Sequence, residues 1–113
     1  MENEQSKVNT NIWFMSPENK NIRQIKYDFD IMTKFPNGFE CHQFCNPDTS
    51  DYYVVFFDNE DGGRYNTSAK WIAPTCGVEP TGNFIIMHKK WINREEHTVE
   101  MDISPKDFKA KYL

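Results

Sequence analysis

The chain reads as a mostly β protein, a curled antiparallel meander or small barrel with a short C-terminal helix. Three features predict it. Aromatic residues make up 15% of the 113 residues while leucine occurs only as Leu113, a balance that favours strands over helices. Residues 25–31 alternate strictly, with Ile25, Tyr27, Phe29 and Ile31 on one side and Lys26, Asp28 and Asp30 on the other. Turn residues recur at short intervals, as in Asn37-Gly38, Asn46-Pro47-Asp48 and Asp61-Gly62-Gly63, leaving room only for short connections.

Taken in order, residues 1–10 are polar and without periodicity and are expected to form a flexible arm, with residues 11–113 as a single β-rich domain. Ile12 to Met15 is a short buried strand or anchor that ends at Ser16-Pro17. The alternating segment 25–31 is expected to pair with Phe39–Phe44 through a tight hairpin turn at Asn37-Gly38. Tyr52 to Phe57 is apolar on both faces and so should be central. A further strand is expected over Arg64–Ile72, and a loop over Thr75–Gly82. Phe84–Ile92 and Thr98–Ile103 should then pair across a turn at Asn93–Glu96. Ser104 as N-cap, Pro105 in the first turn and Asp107 at the positive end open a closing helix, with Phe108 and Tyr112 one turn apart.

Charge and leader features narrow the function. A net charge of −4 and a pI near 5.3 exclude general affinity for duplex nucleic acid. The basic residues His88, Lys89, Lys90 and Arg94 around Trp91 are followed at once by Glu95 and Glu96. The polar, acidic start MENEQSKVNT is unlike a secretory signal, and no apolar run is long enough to cross a bilayer. An intracellular protein without membrane partners is expected, its three cysteines free thiols and the sequon Asn66-Thr67-Ser68 unglycosylated.

The residues capable of chemistry form no familiar pattern. Cys41, His42, Cys45, Cys76 and His88 suggest zinc, but Cys41 and Cys45 on one strand would lie roughly 13 Å apart at about 3.3 Å per residue. No metal and no cofactor are expected. Asp58-Asn59-Glu60-Asp61-Gly62 resembles the opening of a calcium loop, yet its twelfth position is Ala69 rather than a closing acid. His42, His88 and His97 accompany no nucleophile elbow, and Asp28 and Asp30 fit the solvated side of an edge strand. No catalytic residue is assigned, and a non-enzymatic function is expected.

One resemblance emerges over residues 31–74. Phe35-Pro36-Asn37-Gly38-Phe39 precedes a strand, Val54-Val55-Phe56-Phe57-Asp58 has the form V-x-F-x-D, and Lys70-Trp71-Ile72-Ala73-Pro74 the form K-x-I-x-P. This segment resembles a Tudor barrel, whose members often bind methylated lysine or arginine. The resemblance implies that Phe35, Phe39, Phe57 and Tyr65 line a ligand-binding pocket at one end of the barrel, with Asp58 or Glu60 at its rim. It leaves residues 82–113 as an added hairpin and helix.

The expected function is therefore a binding or protein-interaction module, with Tudor-like recognition of a methylated peptide as its sharpest form. A first alternative is a small viral or phage-type accessory protein or assembly subunit, using Trp13, Tyr52, Trp71 and Trp91 as interface anchors. A second is an OB-like single-strand binder that stacks bases on Trp91 and Phe84. The partner is expected to be a protein or peptide, and the sequence leaves the oligomeric state open.

Overall fold

The computed structural model of the chain describes residues 10–28, 30–45, 50–58 and 63–113. The mostly β antiparallel architecture with a short C-terminal helix is observed. Six strands form one open sheet: β1 (Asn11–Met15), β2 (Arg23–Lys26), β3 (Phe39–Cys45), β4 (Asp51–Asp58), β5 (Phe84–Ile92) and β6 (Glu95–Val99), followed by α1 (Pro105–Tyr112). The order is β2-β1-β5-β4-β3, with β6 also on β5. Strands β3 to β6 are a meander, and β2 and β3 are the ends of the path, so the sheet does not close into a barrel.

β5 organises the sheet. One edge pairs with β4 from Phe84↔Phe57 to Lys90↔Asp51. The other is shared end to end, with β1 on Phe84–Ile86 and β6 on His88–Ile92. Asn93 and Arg94, both at positive φ, make the two-residue turn into β6. At the junction of β1 and β6 the Glu100 carboxylate accepts from both the backbone N–H and the side-chain amide of Asn11, each at 2.9 Å.

Alternation along β4 and β5 sends apolar side chains to both faces. On one face Trp13, Tyr53, Val55, Phe57, Phe84 and Ile86 pack beneath Ala69, Ile72, Ala73 and Phe108. On the other, Ile12, Phe14, Ile85 and Met87 pack beneath Ile31 and Phe35. The buried Asn66 fastens the first cover: its amide donates to the carbonyls of Met15 and Gly82, and its oxygen accepts from the backbone and hydroxyl of Ser68.

Several expected elements differ. The strand foreseen over 25–31 ends at Lys26, because Asp28 accepts from the backbone N–H groups of Asp30 and Ile31 and turns the chain into a 3₁₀ turn over Ile31–Lys34. Gly38, at φ 99°, does bend the chain, but the turn joins that 3₁₀ segment to β3, and β2 and β3 lie at opposite ends of the sheet. In place of a strand over Arg64–Ile72 there is a single bridge, Tyr65↔Thr81, and a 3₁₀ turn capped by Asn66. β6 begins at Glu95 and ends at Val99 rather than spanning 98–103, although Met101 and Ile103 still pack on the core. Thr10, placed by sequence in the arm, is buried and accepts from the backbone of Tyr27. The rest of the arm (residues 1–9), Phe29, the turn at Asn46-Pro47-Asp48 and the acidic segment 59–62 lie outside the described residues.

The helix opens as its sequence dictates, with the Ser104 hydroxyl accepting from the Asp107 N–H at 3.1 Å and Pro105 in the first turn. Its one fully buried side chain, Phe108, meets Trp13, Phe44, Tyr53 and Trp71 edge-on, at centroid distances of 5.3–6.0 Å. Phe108→Ala would leave a cavity among rings fixed by the sheet. It is expected to cost about 3–5 kcal/mol in urea unfolding.

Candidate binding cleft

Beyond the second cover, the face carrying Ile85 and Met87 opens into two adjoining clefts. The first, about 270 Å³, is walled by the rings of Tyr27, Phe39 and Phe56, with Ile31, Met32 and Met87 between them and Asp28 at the rim. The second, about 380 Å³, is polar and bounded by Glu95, Glu96, His97 and Thr98. Tyr27 and Lys89 line both.

Register explains the first cleft. Phe39 stands opposite Asp58 and Cys41 opposite Phe56, so Phe39 is the diagonal neighbour of Phe56 on one face. Their rings meet edge to face at 5.4 Å, and Phe39 remains 45% exposed. Met87 and Lys89, two apart on β5, continue the same face.

The Lys89 ammonium donates to the Thr98 hydroxyl at 2.7 Å, lies 3.9 Å from Glu96 and sits 5.8 Å from the Tyr27 ring centre. Burial lowers its pKa from the usual lysine value. The sequence presented this residue as part of a basic cluster, but its neighbours disperse it: His88 turns to the opposite face and is buried, while Lys90 is exposed.

The four residues proposed from sequence are divided. Phe35 and Phe39 come together, with ring centres 6.1 Å apart, although Phe35 itself is buried in the core. Phe57 points to the other face, where it stacks on Phe84 at 5.8 Å. Tyr65 is 57% exposed beside its bridge to Thr81. Strand parity is the reason: with Phe39 on the cleft face, its neighbour on β4 must be Phe56 rather than Phe57. Tyr27, Phe56 and Met87 were missed, and the Phe39–Phe56 diagonal was the available signal. Of the other aromatics, Trp13 and Tyr52 are buried and Trp71 is half-buried, leaving Trp91 as the open anchor. Phe84 is wholly buried and offers no stacking platform.

The cysteines do not converge. Cys41 and Cys45 are exposed on β3, on the face opposite His42, and Cys76 is a half-buried thiol whose pKa burial pushes up to about 11. Among the described residues, possible metal-ligand atoms of Asp51, His88 and Asp102 lie within 4.8 Å of one another. Yet the two acids flank opposite ring nitrogens. His88 Nε2 is 3.0 Å from Asp51, whereas Nδ1 is 3.0 Å from the Glu100 carbonyl and 3.5 Å from Asp102. Both ring nitrogens are thus engaged, and the ring is held between the two acids.

This arrangement is a brace. Tyr53 stacks on the His88 ring at 4.6 Å and donates to Asp102 at 2.5 Å, tying β4 and β5 to the chain after β6. Burial and the neighbouring acid push the Tyr53 phenol well above its usual range.

A comparison with known protein families, with curated proteins and with solved structures finds no match to this chain. Among the described residues no helix is long and apolar enough to cross a membrane.

The brace predicts an acid response. Burial pushes the Asp51 carboxyl upward, but the His88 hydrogen bond, the backbone and the charges of His88 and Lys90 outweigh it and hold the pKa below 3.8. A carboxyl lowered by folding contributes stability above its unfolded value and loses it as pH falls through the folded one. Asp51→Asn should therefore be less stable by about 1–3 kcal/mol at neutral pH. The gap should narrow below pH 3.8, as read from urea midpoints across the acid range.

Proposed function

We propose that the domain is a non-enzymatic binding module that holds a short segment of a partner protein in the paired clefts. A large apolar side chain enters between Tyr27, Phe39 and Phe56, and a neighbouring basic residue faces Glu95 and Glu96. The observation carrying this reading is the direct adjacency of an apolar cleft and a polar one that carries Glu95 and Glu96, joined through Tyr27 and Lys89. Two features support it. Phe39 is a half-exposed ring already braced by Phe56, so little side-chain freedom is lost when a ligand covers it. The net charge of −4 favours encounter with a basic segment.

Recognition of methylated lysine or arginine would use the same three rings, with Asp28 at the rim. It is the second reading, because the Tyr27 ring that a methylammonium would need already has the Lys89 ammonium 5.8 Å from its centre.

Selection from a phage library of random peptides on the full chain tests both. Enriched peptides should share one large apolar residue a few positions from Lys or Arg. Phe39→Ala should weaken them about tenfold, or roughly 1.4 kcal/mol, with little change in melting temperature. Glu95→Gln combined with Glu96→Gln should reduce the salt dependence of binding. Enriched peptides that bind wild type and Phe39→Ala equally would remove the cleft as the site. Tighter binding when trimethyllysine replaces the apolar anchor would select the methyl-reader version.

A further inference from the structure

The two ends of the sheet are unlike. β2 has four residues, Arg-Gln-Ile-Lys, and is blunted by its brevity and two exposed cations. β3 has seven, Phe-Glu-Cys-His-Gln-Phe-Cys, with neither lysine nor proline, the residues that protect edges from pairing. Among the described strands, β3 pairs with β4 alone. Its outward row of backbone donors and acceptors is a template for another strand.

We propose that this edge is the interface for a second copy of the chain, the two β3 strands pairing antiparallel about a two-fold axis at Gln43. Self-complementarity singles out a copy of the same chain. Cys41 and Cys45 are equidistant from Gln43, exposed, and on one face. In this register each Cys41 stands opposite Cys45 of the second copy, and Gln43 opposite Gln43. On the other face His42 meets Phe44 of the second copy, extending the ring contact these residues make at 4.8 Å within one strand. Glu40, the one charged residue of the strand, falls outside the paired segment 41–45, so no like charges meet. Directly opposed residues of an antiparallel pair have Cα atoms about 4.5–5.5 Å apart, within the roughly 4.4–6.8 Å that a disulfide spans. Five residues a side make a small interface, so the dimer is reversible and depends on concentration.

The cysteines make the register testable. Reduced full-length protein is mixed with oxidised glutathione. Each bridge formed takes two electrons and two protons from two thiols, and one glutathione disulfide becomes two glutathione thiols. Peptide mapping should find Cys41 joined to Cys45 between chains, with Cys76 left out. Cys41→Ser alone and Cys45→Ser alone should each lose crosslinking by tenfold or more, because each then sets a thiol against a serine. Mixing the two variants should restore a heterodimer with a single bridge. Gln43→Lys, which places two like charges at the axis, should abolish crosslinking with an unchanged melting temperature and give monomer by sedimentation. Crosslinks between identical cysteines in the single variants at the wild-type rate would mark random collision and overturn the proposal, as would a wild-type protein that sediments as monomer at every concentration.

Discussion

Every part of the fold answers to the demands of β5. Its first residues are buried on both faces, so both need apolar cover, and its backbone must be paired along both edges. β4 completes one edge. No single strand completes the other, where β1 and β6 meet end to end. The clasp of Glu100 on Asn11 and the His88 brace both lie at that meeting point. The covers follow: α1 and the segment around Asn66 above one face, the 3₁₀ turn at Ile31 above the other. Where the second cover stops, the clefts begin.

Local signals were strong wherever a backbone decision is made within a few residues. The apolar run Tyr52–Phe57 declared a central strand, and Ser104-Pro105 declared a helix start. The alternation at 25–31 reported exposure faithfully, since Ile25, Tyr27 and Ile31 are the more covered residues, but not conformation. There the Asx turn of Asp28 overrides strand periodicity. Arg64 to Ile72 misled for a related reason: one buried asparagine ties its own turn to two distant segments, at Met15 and Gly82, and neither is visible from its own neighbourhood. The Asn-Gly turn was legible as a bend but not as a connection, because which strands pair is decided by β5.

The candidate site was half legible. Phe39 and its place beside a strand could be read from the chain, but choosing between Phe56 and Phe57 required the strand's facing. That facing is a parity, and an error of one residue reverses it. The role of Lys89 was harder to foresee, because sequence placed it among basic neighbours that the pleat of β5 then scattered to different environments. The acids that follow that cluster do pair with it, Glu96 lying 3.9 Å from Lys89, and they also line the second cleft with Tyr27.

The end-to-end sharing of β5 also bears on the order in which the chain can assemble. β3 to β6 join neighbours in sequence, and even the longest of their connections, residues 59–83, is far shorter than the stretch between β1 and β5. β1 is made first, but Trp13 pairs with Ile86, about 70 residues later, a closure entropically dearer than any in the meander. During synthesis the β1–β2 hairpin must wait, its apolar residues Ile12 to Met15 without their final partners, until β5 has emerged. The N-terminal hairpin thus exists before β5 but can find its place in the sheet only after it.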